Sequence, residues 1–117
     1  MTADQFRKIA LSLPNVEEHA HMGHPDFRVN NKIFATIADP IKGIAMVKVS
    51  PEIQQTYLKS YADTFFAAQG AWGRAGCTMV RLKEADQETI GEAITAAWNE
   101  IIKKTPKPKA RKRADKT

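Results

Sequence analysis

Three histidines within six positions, His19, His21 and His24, are the first residues here whose type and spacing suit chemistry. Residues two apart on a strand share a side, so His19 and His21 could chelate one ion with Glu17 or Asp26 nearby. A structural zinc site usually takes four ligands, however, and no second ligand cluster follows. The competing expectation is that His24 braces the turn before Pro25 while the other two are solvated. The sequence is therefore read as holding no metal and no cofactor. Cys77 invites a nucleophile reading, but a lone cysteine opening a strand is more often a small buried hydrophobe. There is no phosphate-binding glycine motif, G-x-S-x-G or H-E-x-x-H, and the acids form no convincing acid/base pair. No enzyme is expected.

Trp72, Arg74 and Arg81 form a different kind of group. A tryptophan in the glycine-rich stretch Gly70-Ala71-Trp72-Gly73 can stack on a base while a guanidinium meets phosphate. Arg28, Lys48 and Arg81 are expected on the sheet face away from the helices, with Lys32 and Lys42 near its turns. The alternative is that Trp72 folds into the core and the charges merely solvate an open face.

The net charge of +5 over 117 residues is unevenly divided. From Lys103 to Thr117 there are eight basic residues and one acid, +7; the rest holds ten basic and twelve acidic residues, −2. The basicity thus belongs to the C-terminus, where Lys107, Lys109, Arg111, Lys112 and Arg113 lie among prolines. Residues 105–117 are expected to be a disordered basic tail behind one domain, 1–104. No apolar run approaches the ~20 residues of a membrane span, and a single cysteine fits a reducing cytoplasm.

Several elements must position these residues. Thr2-Ala3-Asp4-Gln5 reads as a capping box, followed by Phe6, Ile9, Ala10 and Leu13 on one helical face and a stop at Pro14. Val16 to Met22 is read as a loop or short irregular strand. Next comes a hairpin turning at Asn30-Asn31, since asparagine tolerates positive φ. A two-residue turn sets Phe27 opposite Phe34 and Arg28 opposite Ile33; a three-residue loop would pair Phe27 with Ala35. The first is preferred. Ile44 to Val49 is a third strand, and Ser50-Pro51-Glu52 starts a helix. Thr64 to Phe66 is a short strand, Gln69 to Gly76 a loop, and Cys77 to Leu82 a strand. A last helix capped by Asp86 carries Ile90, Ile94, Trp98 and Ile101. The expected fold is α+β and two-layered, an antiparallel sheet in the order α-β-β-β-α-β-β-α with helices mainly on one face.

Gly23-His24-Pro25-Asp26-Phe27-Arg28-Val29 with Lys32-Ile33-Phe34-Ala35, then Ala71-Trp72-Gly73-Arg74 with Val80-Arg81-Leu82, resembles the MmcQ/YjbR family of small bacterial proteins. The likeness runs from about Phe6 to Trp98. It implies a compact α/β fold, a DNA-binding role and no reaction. His24, Pro25, Phe27, Lys32 and Phe34 match the first block; Trp72, Gly73, Arg81 and Leu82 match the second. Cys77 departs from the large aromatic that the family usually carries there.

The leading expectation is a non-catalytic DNA-binding protein of weak sequence preference. Its hairpin and loop residues would contact duplex DNA, and its tail would bind phosphates non-specifically. The alternative is a protein- or small-ligand-binding module using a groove near His24 and Trp72.

Overall fold

The computed structural model describes residues 1–104; the tail expectation for residues 105–117 lies outside the described residues. The first helix, α1 (Ala3–Leu11), begins as its sequence dictates. The Gln5 N–H donates to the Thr2 hydroxyl at 3.1 Å, and the Thr2 N–H donates to the Gln5 side-chain oxygen at 2.8 Å. Four strands follow: β1 (Glu17–His21), β2 (His24–Val29), β3 (Lys32–Asp39) and β4 (Ile44–Lys48). Then come α2 (Pro51–Ser60), β5 (Phe65–Ala67), α3 (Gly70–Arg74), β6 (Cys77–Arg81), a 3₁₀ turn at Leu82–Glu84, and α4 (Gln87–Lys104).

The strands make one six-stranded sheet, ordered β1-β2-β3-β4-β6-β5, with every neighbouring pair antiparallel. The result is a two-layer α+β fold with helices packed on one face. Between the layers Phe6 and Ala10 of α1 and Ile90, Ile94 and Ala97 of α4 meet Phe27, Ala35, Val47 and Val80 of the sheet. Each phenylalanine in this core is essentially inaccessible.

Asn30 and Asn31 both adopt positive φ, 53° and 64°, which is the two-residue turn their chemistry favours. Arg28 faces Ile33 as that turn requires, but Phe27 faces Ala35 rather than Phe34. A bulge explains the difference: β3 carries one extra residue between these pairs. It lets Phe34 and Ala35, adjacent in sequence, both be buried.

Two stretches are more regular than expected. Glu17–His21 is a true strand, paired to β2 through Met22 and Gly23, which both have positive φ. All five of its residues are exposed, so no apolar alternation marked it as a strand. Gly70–Arg74 is a short helix rather than a loop. Its N-cap, Gln69, makes no side-chain cap bond, so the usual start signal is missing.

Candidate nucleic-acid interface

Tertiary contacts, rather than local propensity, hold α3 in place. A Cβ at Gly73 would collide with the Ala68 carbonyl oxygen, so only glycine lets the helix approach β5 so closely. Gln54 of α2, 3% exposed, donates from Nε2 to the Gly73 carbonyl at 3.0 Å and to the Cys77 carbonyl at 3.1 Å. Gly76, at φ +110°, then leads the chain past the Val49 carbonyl into β6. Trp72 is left 73% exposed on a rigid support.

Strand directions bring several cations to this end of the sheet. Lys32 opens β3, Lys48 closes β4 and Cys77 opens β6, so all three stand at the Asn30-Asn31 end. Two hollows meet there. One of ≈ 130 Å³ is lined by Lys32, Ile33, Lys48, Glu100 and Lys104, among others. The other is lined by Lys48, Ala71, Trp72, Ala75 and Cys77. Lys48 borders both and joins the aromatic to the lysines. Arg74, the last residue of α3, is exposed. Lys32, Lys48 and Arg74 make no ion pair among the described residues. Glu100, which lines the first hollow, is itself nearly buried. Lys103 at 3.0 Å and Lys104 at 3.5 Å hold its carboxyl below the usual carboxylate range.

The helix-free face of the sheet carries a continuous row. Register pairs link His19, Asp26, Thr36, Met46, Met79 and Phe66 across all six strands. Asp26 is fully buried yet charged. It accepts from Arg28 at 2.8 and 3.1 Å and lies 2.7 Å from the His21 Nδ1. The Arg28 guanidinium, with a smaller share from His21, outweighs burial and lowers its pKa. Arg28 is thereby neutralised. At the opposite end of β6, Arg81 lies 4.3 Å over the Phe66 ring, beside a hollow lined by Asp63 and Glu84.

The expected site residues therefore divide. Lys32, Lys48 and Trp72 come together, with Arg74 two residues further along α3. Arg28 shares the open face but is committed to Asp26. Arg81 and Lys42 lie towards the other end, Lys42 in the β3–β4 turn with its N–H bonded to Asp39. His24 and Trp72 are not brought into one groove. His24 opens β2 opposite His21 at the far end, and β3 and β4 intervene between β2 and β6. Strand geometry separates the two by on the order of 20 Å. No pocket among the described residues is lined by both. The His24 Nδ1 is buried without a hydrogen-bond partner among the described residues. Cys77 is 4% exposed, and burial pushes its thiol pKa up, which suits packing and not nucleophilic attack. No group of three or more metal-ligating side chains occurs among the described residues.

Sequence reasoning missed Lys104, which α4 delivers to Lys32 and Lys48 from 72 and 56 residues away in the chain. It also passed over the open-face methionines, although the alternation Cys77, Met79, Arg81 had separated them from the core side. Met22 and Ile41, 91% and 97% exposed at two hairpin tips, carry no periodic signal.

Fold and site together define a small α+β domain with an uncovered sheet face and a lysine-rich end. A crystal structure of the Deinococcus radiodurans protein DR2400, described as a DUF419 domain, has a similar fold. Its TM-score is 0.74 at 20% identity, covering 88% of this chain and 80% of that one. No curated protein matches the chain. Residues 11–100 match the YjbR family model, and the chain belongs to the YjbR family.

Proposed function

We propose that this protein binds nucleic acid through the Asn30-Asn31 end of its sheet, using Lys32, Lys48, Trp72 and Arg74. The single observation that carries this reading is the position of Lys48, which joins the Lys32 and Lys104 hollow to an exposed tryptophan. A body whose residues 1–104 hold twelve basic and twelve acidic groups attracts phosphate only where its cations are gathered and its acids are elsewhere or neutralised. In the hollow lined by Lys32 and Lys48 that condition is met, because its lining acid, Glu100, is paired with Lys103 and Lys104. In sequence, Lys104 is followed by Lys107, Lys109, Arg111, Lys112 and Arg113, which add positive charge. Arg28, Lys42 and Arg81 contribute less in this reading.

The test is a salt titration on a duplex with the full chain and the double variant Lys32→Glu/Lys48→Glu. Each phosphate neutralised contributes about −0.9 to the slope of log affinity against log salt. The variant should bind more weakly and flatten that slope by about 1.8. Unchanged affinity and slope would remove the folded end from the interface.

A further inference from the structure

We infer that the uncovered sheet face is a platform for single-stranded DNA, with bases lying on Met46, Met79 and Trp72 and phosphates meeting Lys48. This deepens, and rests on, the reading that the Asn30-Asn31 end binds nucleic acid. The floor is apolar for no reason that the core supplies. Met46, Met79 and Phe66 are half-buried on the face away from the helices, while Ala45, Val47 and Val80, their chain neighbours, form the core. Met46 faces Met79 and Met79 faces Phe66, so the three side chains form one strip across β4, β6 and β5.

Charge is arranged around that strip. Lys48 stands two residues beyond Met46, next to Trp72. Arg81 stands two residues beyond Met79, opposite Ile44, about 13 Å along the sheet from Lys48. Beyond Arg81 the hollow lined by Asp63 and Glu84 turns acidic and ends the path. To the side, Asp26 is buried and already paired with Arg28 and His21, so it presents no free negative charge to a passing backbone.

A duplex fits this face poorly. Its major groove is about 12 Å wide and admits a helix or a two-stranded ribbon, whereas the strip spans three strands, β4, β6 and the edge strand β5, of a wider sheet. Paired bases also keep their faces stacked on one another and unavailable to an apolar floor. A single strand exposes those faces, and stacking on side chains tolerates any sequence. The side chains of the strip itself, Met46, Met79 and Phe66, carry no hydroxyl, amide or charged group to bond a 2′-hydroxyl, so the strip gives ribose no advantage over deoxyribose.

The experiment measures affinity of the full chain for a short oligo(dT), an oligo(rU) of equal length and a mixed-sequence duplex, with tryptophan fluorescence as second readout. Oligo(dT) should quench the fluorescence and bind about tenfold tighter than the duplex. Trp72→Phe should abolish the quenching, since the remaining Trp98 is anchored by its Nε1 to the Pro14 carbonyl at 3.1 Å. Met79→Glu should weaken oligo(dT) about tenfold without weakening the duplex. Met46→Ala, a milder truncation of the same strip, should weaken oligo(dT) alone if Met79→Glu fails to fold. Duplex binding as tight as oligo(dT), without quenching, overturns the single-strand inference and leaves the basic end standing. Equal binding of oligo(rU) overturns the assignment to DNA. Binding of neither strand nor duplex removes the proposed function itself.

Discussion

Asp26 is the residue whose sequence context and environment diverge most. It follows His24-Pro25 on a strand, where a carboxylate would ordinarily be solvated, yet it is fully buried and held by Arg28 and His21. Removing one partner of such a cluster leaves the others uncompensated, so Asp26→Asn should lower stability by about 2 kcal/mol at neutral pH. The sign with pH follows from the lowered pKa. Above the ordinary aspartate value of about 3.9 the contribution is fully present. As pH falls through the depressed folded value, the carboxylate is protonated and the contribution is lost. Denaturant melts of both proteins should therefore converge in strong acid; a gap that persists or widens there would show that Asp26 is not ionised in the native state. Trp72 gives the opposite result. With most of its surface in solvent, Trp72→Ala should change stability by no more than about 0.5 kcal/mol. A large loss in the same melts would mean that the ring packs against the fold.

At the scale of elements, the platform depends on how α3 is joined to the sheet. Gly76 makes that joint. Its φ of +110° is outside the range that side chains tolerate, and a Cβ there would collide with the Val49 carbonyl. Its own carbonyl accepts from the Val49 N–H at 3.2 Å, which ties the end of β4 to the start of β6. Gly76→Ala should accordingly cost about 3 kcal/mol or more and displace Trp72 relative to Lys48. Gly91, on α4, meets nothing within 4 Å of a built Cβ and serves as the control. Gly91→Ala should be neutral or stabilising by up to about 1 kcal/mol, because alanine is the better helix former. Similar losses from both substitutions would refute the strain argument.

Across the whole sequence, charge is divided between nearly neutral residues 1–102 and a strongly basic stretch from Lys103 onward. Ending the chain after Lys104 removes six of the eight basic residues counted from Lys103 onward, together with Asp115. About five tail contacts to phosphate would add about −4.5 to the salt slope on duplex DNA. The shortened protein should keep its melting temperature, bind duplex far more weakly and show a much flatter slope. The single-strand preference assigned to the sheet face should survive the cut. If affinity and slope for unrelated duplexes are unchanged, the extension takes no part in binding.

The order of most elements, the caps at Thr2, Ser50 and Asp86, and the asparagine turn follow from local chemistry, because caps and turns are satisfied by residues three or four apart. The separation of Thr78, Val80 and Leu82 from Cys77, Met79 and Arg81 follows from strand periodicity alone. Other features depend on partners distant in the chain. The β3 bulge exists because two consecutive aromatic and apolar residues must both enter a core shared with α1 and α4. An all-exposed strand such as β1 has no burial pattern to read, and it forms because β2 offers it an edge. Above all, strand direction decided that His24 and Trp72 lie at opposite ends of the sheet while Lys32, Lys48 and Lys104 converge. Spacing along a chain carries no record of which strand ends point the same way; hydrogen-bonded register does.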